Sequence, residues 1–228
     1  MKKIIKDTLV LFVITLIAGF LLGGVYKITK APIDAQAKAK TEKAYKAVFY
    51  KYFDKVTDAP GAADKIVDEF SFVQWSADEV AALNDSFMAN LGDNTSNVLD
   101  SVVTAYGEEN KLSGYVMTIT NSEAYGGSIQ MSVGILADGT VAGVEILSIS
   151  ETPGLGMNAQ SDSFLDQFTA VLTDAFEYTK TGRQASDEID AISSATYTTK
   201  SMTHGVNAAI AVYKAIESSG IEGGAVNE

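Results

Sequence analysis

The sequence predicts an α+β protein in which a single N-terminal transmembrane helix and a helical lead precede a domain with an antiparallel sheet flanked by helices. Three observations support this prediction. An uncharged apolar run lies near the N-terminus, a segment rich in helix-forming residues follows it, and the second half of the chain alternates apolar and polar residues with a period of two. We therefore divide the chain into residues 1–30 (leader and transmembrane helix), 31–97 (helical lead), 98–217 (the domain with the sheet) and 218–228 (a flexible tail).

The apolar run extends from Thr8 to Tyr26, TLVLFVITLIAGFLLGGVY, and has no charged side chain in its 19 positions. As a helix it is about 28 Å long, close to the hydrocarbon thickness of a bilayer. A cleaved signal peptide is the alternative, but its apolar core is usually shorter. The nearest A-x-A pattern, at residues 35–37, also lies beyond Lys27 and Lys30. We therefore predict an uncleaved single-pass anchor.

The lysines around this run predict its orientation. Lys2, Lys3 and Lys6 precede the run, whereas Lys27 and Lys30 follow it. Because positive side chains favour the cytoplasmic side, this small excess favours a cytoplasmic N-terminus. The globular part of the chain is then predicted on the extracytoplasmic side of the cell membrane.

The charge of the chain excludes one class of partner. After the apolar run lie 28 of the 29 acidic residues and 14 of the 17 Lys and Arg residues, a net charge of −14. Nucleic acid and anionic lipid surfaces repel such a body, which excludes nucleic-acid binding. The chain has no cysteine, which excludes a lipoprotein anchor and a cysteine nucleophile.

Two helices are predicted between the anchor and the first strand. Residues 35–53 are rich in helix formers and continue the first helix outward, until DAPGAAD at 58–64 interrupts it. A second helix over 76–91 begins with Ser76 and Glu79, which have the spacing of a capping box. GDNTSN at 92–97 is predicted to be a loop.

The pattern then changes to that of an antiparallel sheet. Strands are predicted over residues 98–106, 111–120, 128–136 and 140–150. Asp138 and Gly139 are typical of a hairpin turn before the last of these strands. Gly143 predicts a bulge within it.

Two helices are predicted after the strands. SDSFLDQF at 161–168 is typical of a short capped helix. The last helix is predicted to begin near Thr198. Its apolar face consists of Met202, Val206, Ala209, Ile210, Tyr213 and Ile216.

Most catalytic chemistries lack their residues in this chain. The single histidine is His204, and a solitary histidine in a helix is more often structural than catalytic. Neither a G-x-S-x-G motif nor a phosphate-binding or dinucleotide-binding glycine motif is present. The sequence argues against a hydrolase, and we predict no catalytic residue and no metal ligand.

Three loops rich in glycine or hydroxyl groups remain: EAYGGS (123–128), SETPGLGMN (150–158) and DAISSATYTT (190–199). Glycines in the first two allow the backbone to approach a flat ligand closely. The third loop precedes a helix, whose N-terminus favours an anion. Each loop alone could be an ordinary connection, but together they predict a pocket for an aromatic ligand that bears a phosphate.

DAISSAT at 190–196 resembles the D-x-x-[ST]-G-A-T signature of covalent FMN-binding domains. That family includes the G subunit of Rnf electron-transport complexes and the C subunit of sodium-pumping NADH:quinone reductases. ETPGLG at 151–156 and YGG at 125–127 are similar to the family's flavin-site loops and occur in the same order. The resemblance covers about residues 98–217, which it identifies as the FMN-binding domain, and the short leader with one span matches as well.

The resemblance implies that Thr196 carries FMN through a phosphoester bond. The family usually has glycine where this chain has Ser194, so a turn that needs a positive φ would be strained here. Thr198 and Thr199 are chemically equivalent to Thr196, and only the register of the motif excludes them. The other flavin-site positions that the resemblance implies are Asp190, Ser193, Ser194, Ala195, Glu151, Thr152, Gly154, Leu155, Gly156, Tyr125 and Gly126.

By the same resemblance the chain is a membrane-anchored electron carrier, most like the Rnf G subunit. It is then a redox subunit of an ion-pumping oxidoreductase, and not an enzyme on its own. Its implied partners are other membrane subunits, which bind ferredoxin and NAD, and a flavin transferase that attaches the FMN. Two alternatives stay open: the C subunit of a sodium-translocating NADH:quinone reductase, and a non-redox membrane-tethered binding module.

Overall fold

The computed structural model describes residues 2–57, 61–87 and 96–219, and the chain forms two compact units, Met1–Glu42 and Lys43–Glu228. The prediction of an α+β fold is confirmed. The helices are α1 (Lys2–Val56), α2 (Ala62–Asp68), α3 (Ala77–Phe87), α4 (Asp162–Leu165) and α5 (Thr196–Ser219). The strands are β1 (Ser71–Gln74), β2 (Asn97–Tyr106), β3 (Leu112–Asn121), β4 (Ile129–Leu136), β5 (Val141–Ser148), β6 (Glu177–Thr179) and β7 (Glu188–Asp190).

The first unit is the N-terminal part of α1. Its segment Ile4–Ile33 is long and apolar enough to cross a membrane, and it extends beyond the uncharged run at both ends. The hydroxyl groups of Thr8 and Thr15 donate to carbonyl groups one turn earlier, Ile4 O at 2.8 Å and Leu11 O at 3.1 Å. These bonds satisfy the two polar side chains within the helix itself, as an apolar surrounding requires.

The second unit is built on a five-stranded antiparallel sheet in the order β1-β2-β3-β4-β5. The four strands that the alternating pattern predicted are confirmed as β2 to β5. β1 was not predicted, because four residues are too few to show a period of two. It lies inside the segment predicted to be a helical lead and pairs with β2, with Phe72 opposite Ala105.

Helix α5 covers one face of the sheet with the predicted apolar face, whose residues Met202, Val206, Ala209, Ile210 and Ile216 are buried. The sixth residue, Tyr213, is partly buried and donates its hydroxyl to Ala137 O at 2.9 Å. The helix begins at Thr196, two residues before the predicted start. It therefore begins within the loop 190–199, at the site described below.

The end of α1 covers the other face. Val48 and Phe49 are fully buried against Val116 and Ala142 of the sheet. α3 also contributes Val80 and Leu83 to the main core. The segment predicted as a lead therefore supplies residues to both cores of the second unit, so the compact unit begins well before residue 98.

The local signals in the turns and helix ends are mostly confirmed. Asp138 Oδ1 accepts a hydrogen bond from the Thr140 N–H at 2.9 Å, and Gly139 has φ 88°, as a hairpin turn requires. The register between β4 and β5 shifts beside Gly143, which confirms the bulge. The capping box is confirmed as well: the Ser76 N–H donates to Glu79 Oε2 at 2.7 Å, and the Glu79 N–H donates to Ser76 Oγ at 3.3 Å.

Two further helix boundaries differ from the prediction. α2 begins at Ala62, inside the predicted break 58–64, because Gly61 with φ 74° allows the chain to turn and the helix to resume at once. The short helix predicted over 161–168 is confirmed but shorter, as α4. Residues 88–91 of the predicted second helix, most of the loop 92–97 and nearly all of the predicted tail lie outside the described residues.

Candidate functional site

The three loops singled out in the sequence converge on one pocket of about 360 Å³. This volume is in the range of pockets that hold small ligands. The first loop contributes one residue, the second loop contributes four, and the third loop with the start of α5 contributes five. In this order, the lining residues are Tyr125, Glu151, Thr152, Leu155, Gly156, Ser194, Ala195, Thr196, Tyr197 and Thr198.

A glycine joins the first loop to the second. The Gly126 N–H donates to Glu151 Oε1 at 2.9 Å, which fixes a buried carboxylate at the pocket wall. A side chain at this position is excluded, because a Cβ on Gly126 would lie 2.1 Å from Ser150 O. Gly126 therefore supports the pocket through Glu151 and does not line it.

A second glycine joins the second loop to α5. A Cβ on Gly156 would lie 2.5 Å from Glu151 Oε2 and 2.6 Å from Thr198 Oγ1. Glycine is the one residue that lets the loop approach the first turn of the helix this closely. The close approach brings a carboxylate and a threonine hydroxyl to the same wall of the pocket.

The turn before α5 has the conformation that the signature's glycine would favour. Ser194 has φ 61°, in the left-handed region. The turn is closed by the Ala195 N–H, which donates to Ile192 O at 3.0 Å. The Thr199 hydroxyl stabilises the turn with two hydrogen bonds of 3.0 Å. It accepts one from the Ile192 N–H and donates the other to Ala195 O. Serine keeps the turn at a strain on the order of 1 kcal/mol.

Burial separates the three threonines that the sequence could not distinguish. Thr198 and Thr199 are 1% and 0% exposed, and the hydroxyl of Thr199 is engaged in the turn. Thr196 is partly exposed and lines the pocket. Of the three, Thr196 alone is partly exposed to solvent.

The first turn of α5 offers hydrogen-bond donors to this pocket. The backbone N–H groups of Thr196, Tyr197 and Thr198 make no hydrogen bond to any residue within the described ranges. The first turn contains no acidic side chain. Free N–H groups and the helix dipole together favour an anion at this place.

Four residues predicted for the site do not line the pocket: Gly126, Asp190, Gly154 and Ser193. Asp190 Oδ1 instead accepts from the Arg183 N–H at 2.6 Å, and the Asp190 N–H donates to Gln167 Oε1 at 2.7 Å. Asp190 therefore organises the segment between β6 and β7. Gly154 is exposed with φ 76° and shapes the second loop, while Ser193 is exposed outside the pocket.

Two pocket residues, Tyr197 and Thr198, were not predicted. They directly follow the signature and lie in the first turn of α5, so a helix start at Thr196 would have pointed to them. Tyr197 and Tyr125 are both strongly exposed. Both residues therefore line the pocket while most of their surface is open to solvent.

Comparison with known proteins identifies two regions of the chain. Residues 124–211 match the model of the FMN-binding domain, and residues 1–48 match that of the RnfG N-terminal region. The first match includes every residue that lines the pocket. The second includes the apolar helix segment Ile4–Ile33.

Two relatives are G subunits of ferredoxin:NAD(+) oxidoreductase complexes. The G subunit of the Na(+)-translocating complex of Acetobacterium woodii is 39% identical over 103 residues, 44% of this chain and 49% of the relative. The G subunit of the proton-translocating complex of Clostridium ljungdahlii is 41% identical over 101 residues, 44% of this chain and 54% of the relative. The chain thus spans about half the length of the curated relatives it matches.

A solved structure and a third relative complete the comparison. The crystal structure of Shewanella oneidensis NqrC superposes with a TM-score of 0.49 and 13% identity, over 78% of this chain and 99% of that one. The G subunit of the ion-translocating oxidoreductase complex of Methanosarcina acetivorans is 34% identical over 98 residues, 42% of this chain and 50% of the relative. The two family matches confirm the resemblance that the motifs indicated: residues 124–211 of this chain match the FMN-binding domain, and residues 1–48 match the RnfG N-terminal region.

Proposed function

We propose that this chain is a membrane-anchored flavoprotein electron carrier, the G-type subunit of an ion-translocating ferredoxin:NAD oxidoreductase complex, with FMN bound covalently through a phosphoester to Thr196. One observation carries the proposal. The signature threonine is partly exposed and lines a pocket to which all three loops contribute, and the residues of this lining all lie within the region that matches the FMN-binding domain. The two similar threonines beside it are buried.

The residues present fit FMN. A phosphate ester on Thr196 would lie beside the free N–H groups of the first turn of α5, which suit its negative charge. Gly156 holds the second loop close to the first turn of α5, and Leu155 and Tyr125 supply apolar surface for a flat ring. FMN, when bound, supplies the redox chemistry. The role of this chain's own residues is to bind the cofactor, orient it and cover one side of it.

Partners follow from this role. A carrier must exchange electrons with other redox centres, which we assign to neighbouring membrane subunits that bind ferredoxin and NAD. A flavin transferase attaches the FMN during maturation. The first two relatives compared above are named for different coupling ions, sodium and proton. The similarity to them therefore does not choose an ion for this chain.

We place the carrier at the cytoplasmic membrane. Helix segment Ile4–Ile33 would serve as the anchor. The lysines of the leader favour a cytoplasmic N-terminus, so that the FMN-binding domain lies outside. Covalent attachment suits this location, because FMN lost outside the cell could not be recovered.

Removal of the Thr196 hydroxyl tests the proposal. The full chain is co-expressed with a flavin transferase, and its intact mass, visible spectrum and flavin-bearing peptide are determined. We expect the wild type to carry one FMN and Thr196→Val to carry none, since valine has nearly the shape of threonine without the oxygen that forms the ester. Thr198→Val, the matched control in the same helical turn, should keep its FMN.

Two results would contradict the proposal. A colourless wild-type protein would favour the non-redox binding module. FMN mapped to Ser193 or Ser194, which are also exposed, would show that the attachment site is a different hydroxyl of the same turn.

A further inference from the structure

Glu123, Lys200 and His204 form a cluster of polar side chains beside the pocket and have no part in the function proposed above. Glu123 contacts two residues of α5: its Oε2 lies 2.6 Å from His204 Nδ1, and its Oε1 lies 3.4 Å from Lys200 Nζ. The side chains of Glu123 and His204 are 16% and 26% exposed, whereas that of Lys200 is 40% exposed. Lys200 is thus the most accessible member and the one held at the longer distance.

Two connections bring Lys200 toward Thr196. Thr196, Lys200 and His204 follow one another at intervals of four along α5, so they share one face of the helix. Side chains in a helix lean toward its N-terminus, which directs Lys200 to the turn that contains Thr196. In addition, Glu123 begins the loop whose Tyr125 lines the pocket together with Thr196.

The negative charges at the pocket would favour a cation beside it. A phosphodiester on Thr196 would add a negative charge to a pocket that already contains the buried carboxylate of Glu151. The basic side chains of α5 are Lys200, His204 and Lys214, and Lys214 lies 18 positions beyond Thr196 in the sequence. His204 is engaged with Glu123 at short distance. Lys200 is therefore the cation of this helix that can reach the phosphate.

We propose that Lys200 binds the phosphate of the FMN attached to Thr196, and that Glu123 holds Lys200 on this face of α5 before attachment. The inference rests on the proposed function, because it needs FMN at Thr196. A partly exposed lysine–carboxylate pair contributes little to stability, so Lys200 can leave Glu123 at small cost. Glu123 keeps its contact with His204 and is not left without a partner.

Thermal unfolding of two forms of the full chain in detergent tests this role. One form is flavinylated by a co-expressed transferase, and the other is made without the transferase. We expect Lys200→Gln to lower the Tm of the flavinylated form by about 2 °C more than that of the unflavinylated form. Lys200→Arg should remove this larger effect on the flavinylated form, since arginine keeps the positive charge.

Lys214→Gln is the matched control. Lys214 lies on the same helix and also pairs with a carboxylate, Asp174, at 2.6 Å, but far along the helix from Thr196. We expect it to change the Tm of both forms equally. The phosphorus NMR resonance of the attached FMN provides a second readout, which should move in Lys200→Gln and stay in place in Lys214→Gln.

The outcomes separate this inference from the function on which it rests. A flavinylated chain in which Lys200→Gln lowers both Tm values equally and leaves the phosphorus resonance unchanged would overturn the role of Lys200 alone. The same differential effect from Lys214→Gln would also overturn it, because any positive charge on the helix would then suffice. A wild-type chain that acquires no FMN mass would overturn the proposed function and the role of Lys200 together.

Discussion

Ser194 has the backbone conformation of a glycine while carrying a side chain. Its φ of 61° lies in the region where a Cβ is crowded by the backbone. The turn nevertheless holds, because Ala195, Ile192 and Thr199 close it with three hydrogen bonds of 3.0 Å. These three hydrogen bonds hold the turn in place, so the strained backbone of Ser194 is tolerated.

We expect Ser194→Gly to stabilise the chain by about 0.5 kcal/mol. Relief of roughly 1–2 kcal/mol of strain outweighs the 0.5–1 kcal/mol that glycine's greater freedom costs on folding. The measurement is thermal unfolding, with a rise in Tm of about 1–2 °C. Ser193→Gly is the control, since Ser193 has no positive φ, and it should lower the Tm. A lower Tm for Ser194→Gly would show that the serine side chain stabilises the turn.

At the scale of elements, two glycines allow the end of α1 to lie directly on the sheet. Gly134 of β4 and Gly143 of β5 face each other across the strands. A Cβ on Gly134 would lie 2.7 Å from Val48 Cγ2, and one on Gly143 would lie 2.6 Å from Val48 O. One clash is with a side chain and the other with the backbone, so the two glycines should respond differently to a change at Val48.

We predict that Gly134→Ala and Gly143→Ala each destabilise the chain by about 1–3 kcal/mol through overpacking. Val48→Ala removes the methyl group that Gly134→Ala would meet, so this pair should cost less than the sum of the two single changes. The Gly143→Ala and Val48→Ala pair should be additive, because the carbonyl oxygen remains. Each pair forms a double-mutant cycle of the wild type, the two single variants and the double variant. Denaturant unfolding of the four proteins in each cycle measures the coupling energy of that pair. Equal coupling in the two cycles would contradict this packing.

At the scale of the whole molecule, the chain has two chemically different parts, one apolar helix segment and a strongly acidic body. The chain has a net charge of −12, while no residue of the segment Ile4–Ile33 is buried within the chain itself. Exposed apolar side chains over this length are stable in a bilayer and not in water. The acidic body, in contrast, has the surface of a protein domain in water.

The orientation can be measured by cysteine labelling, because the natural chain has no cysteine. We expect Leu172→Cys, on an exposed position of the FMN-binding domain, to react with a membrane-impermeant thiol reagent in intact cells. Lys2→Cys, in the leader before the apolar segment Ile4–Ile33, is the control. It should react only after the cells are permeabilised. The reverse pattern would place the FMN-binding domain in the cytoplasm.

The sequence by itself determined the features that depend on neighbours along the chain. The alternation of β2 to β5, the hairpin turn at Asp138 and Gly139, the bulge beside Gly143 and the capping box at Ser76 all follow from patterns a few residues long. The three loops could also be found, because glycine and hydroxyl residues have local conformational meaning. Their signature then pointed to the family.

Only the tertiary structure decided the features that join distant parts of the chain. β1 is recognised as a strand because β2 supplies its partner, and the end of α1 packs where two glycines of other strands leave room. Thr196 differs from Thr198 in burial, which depends on how closely Gly156 approaches α5. Glu123 meets Lys200 across 77 positions of sequence. These contacts form between residues whose spacing along the chain has no regular period, so they follow from the packing of complete elements and not from any local pattern.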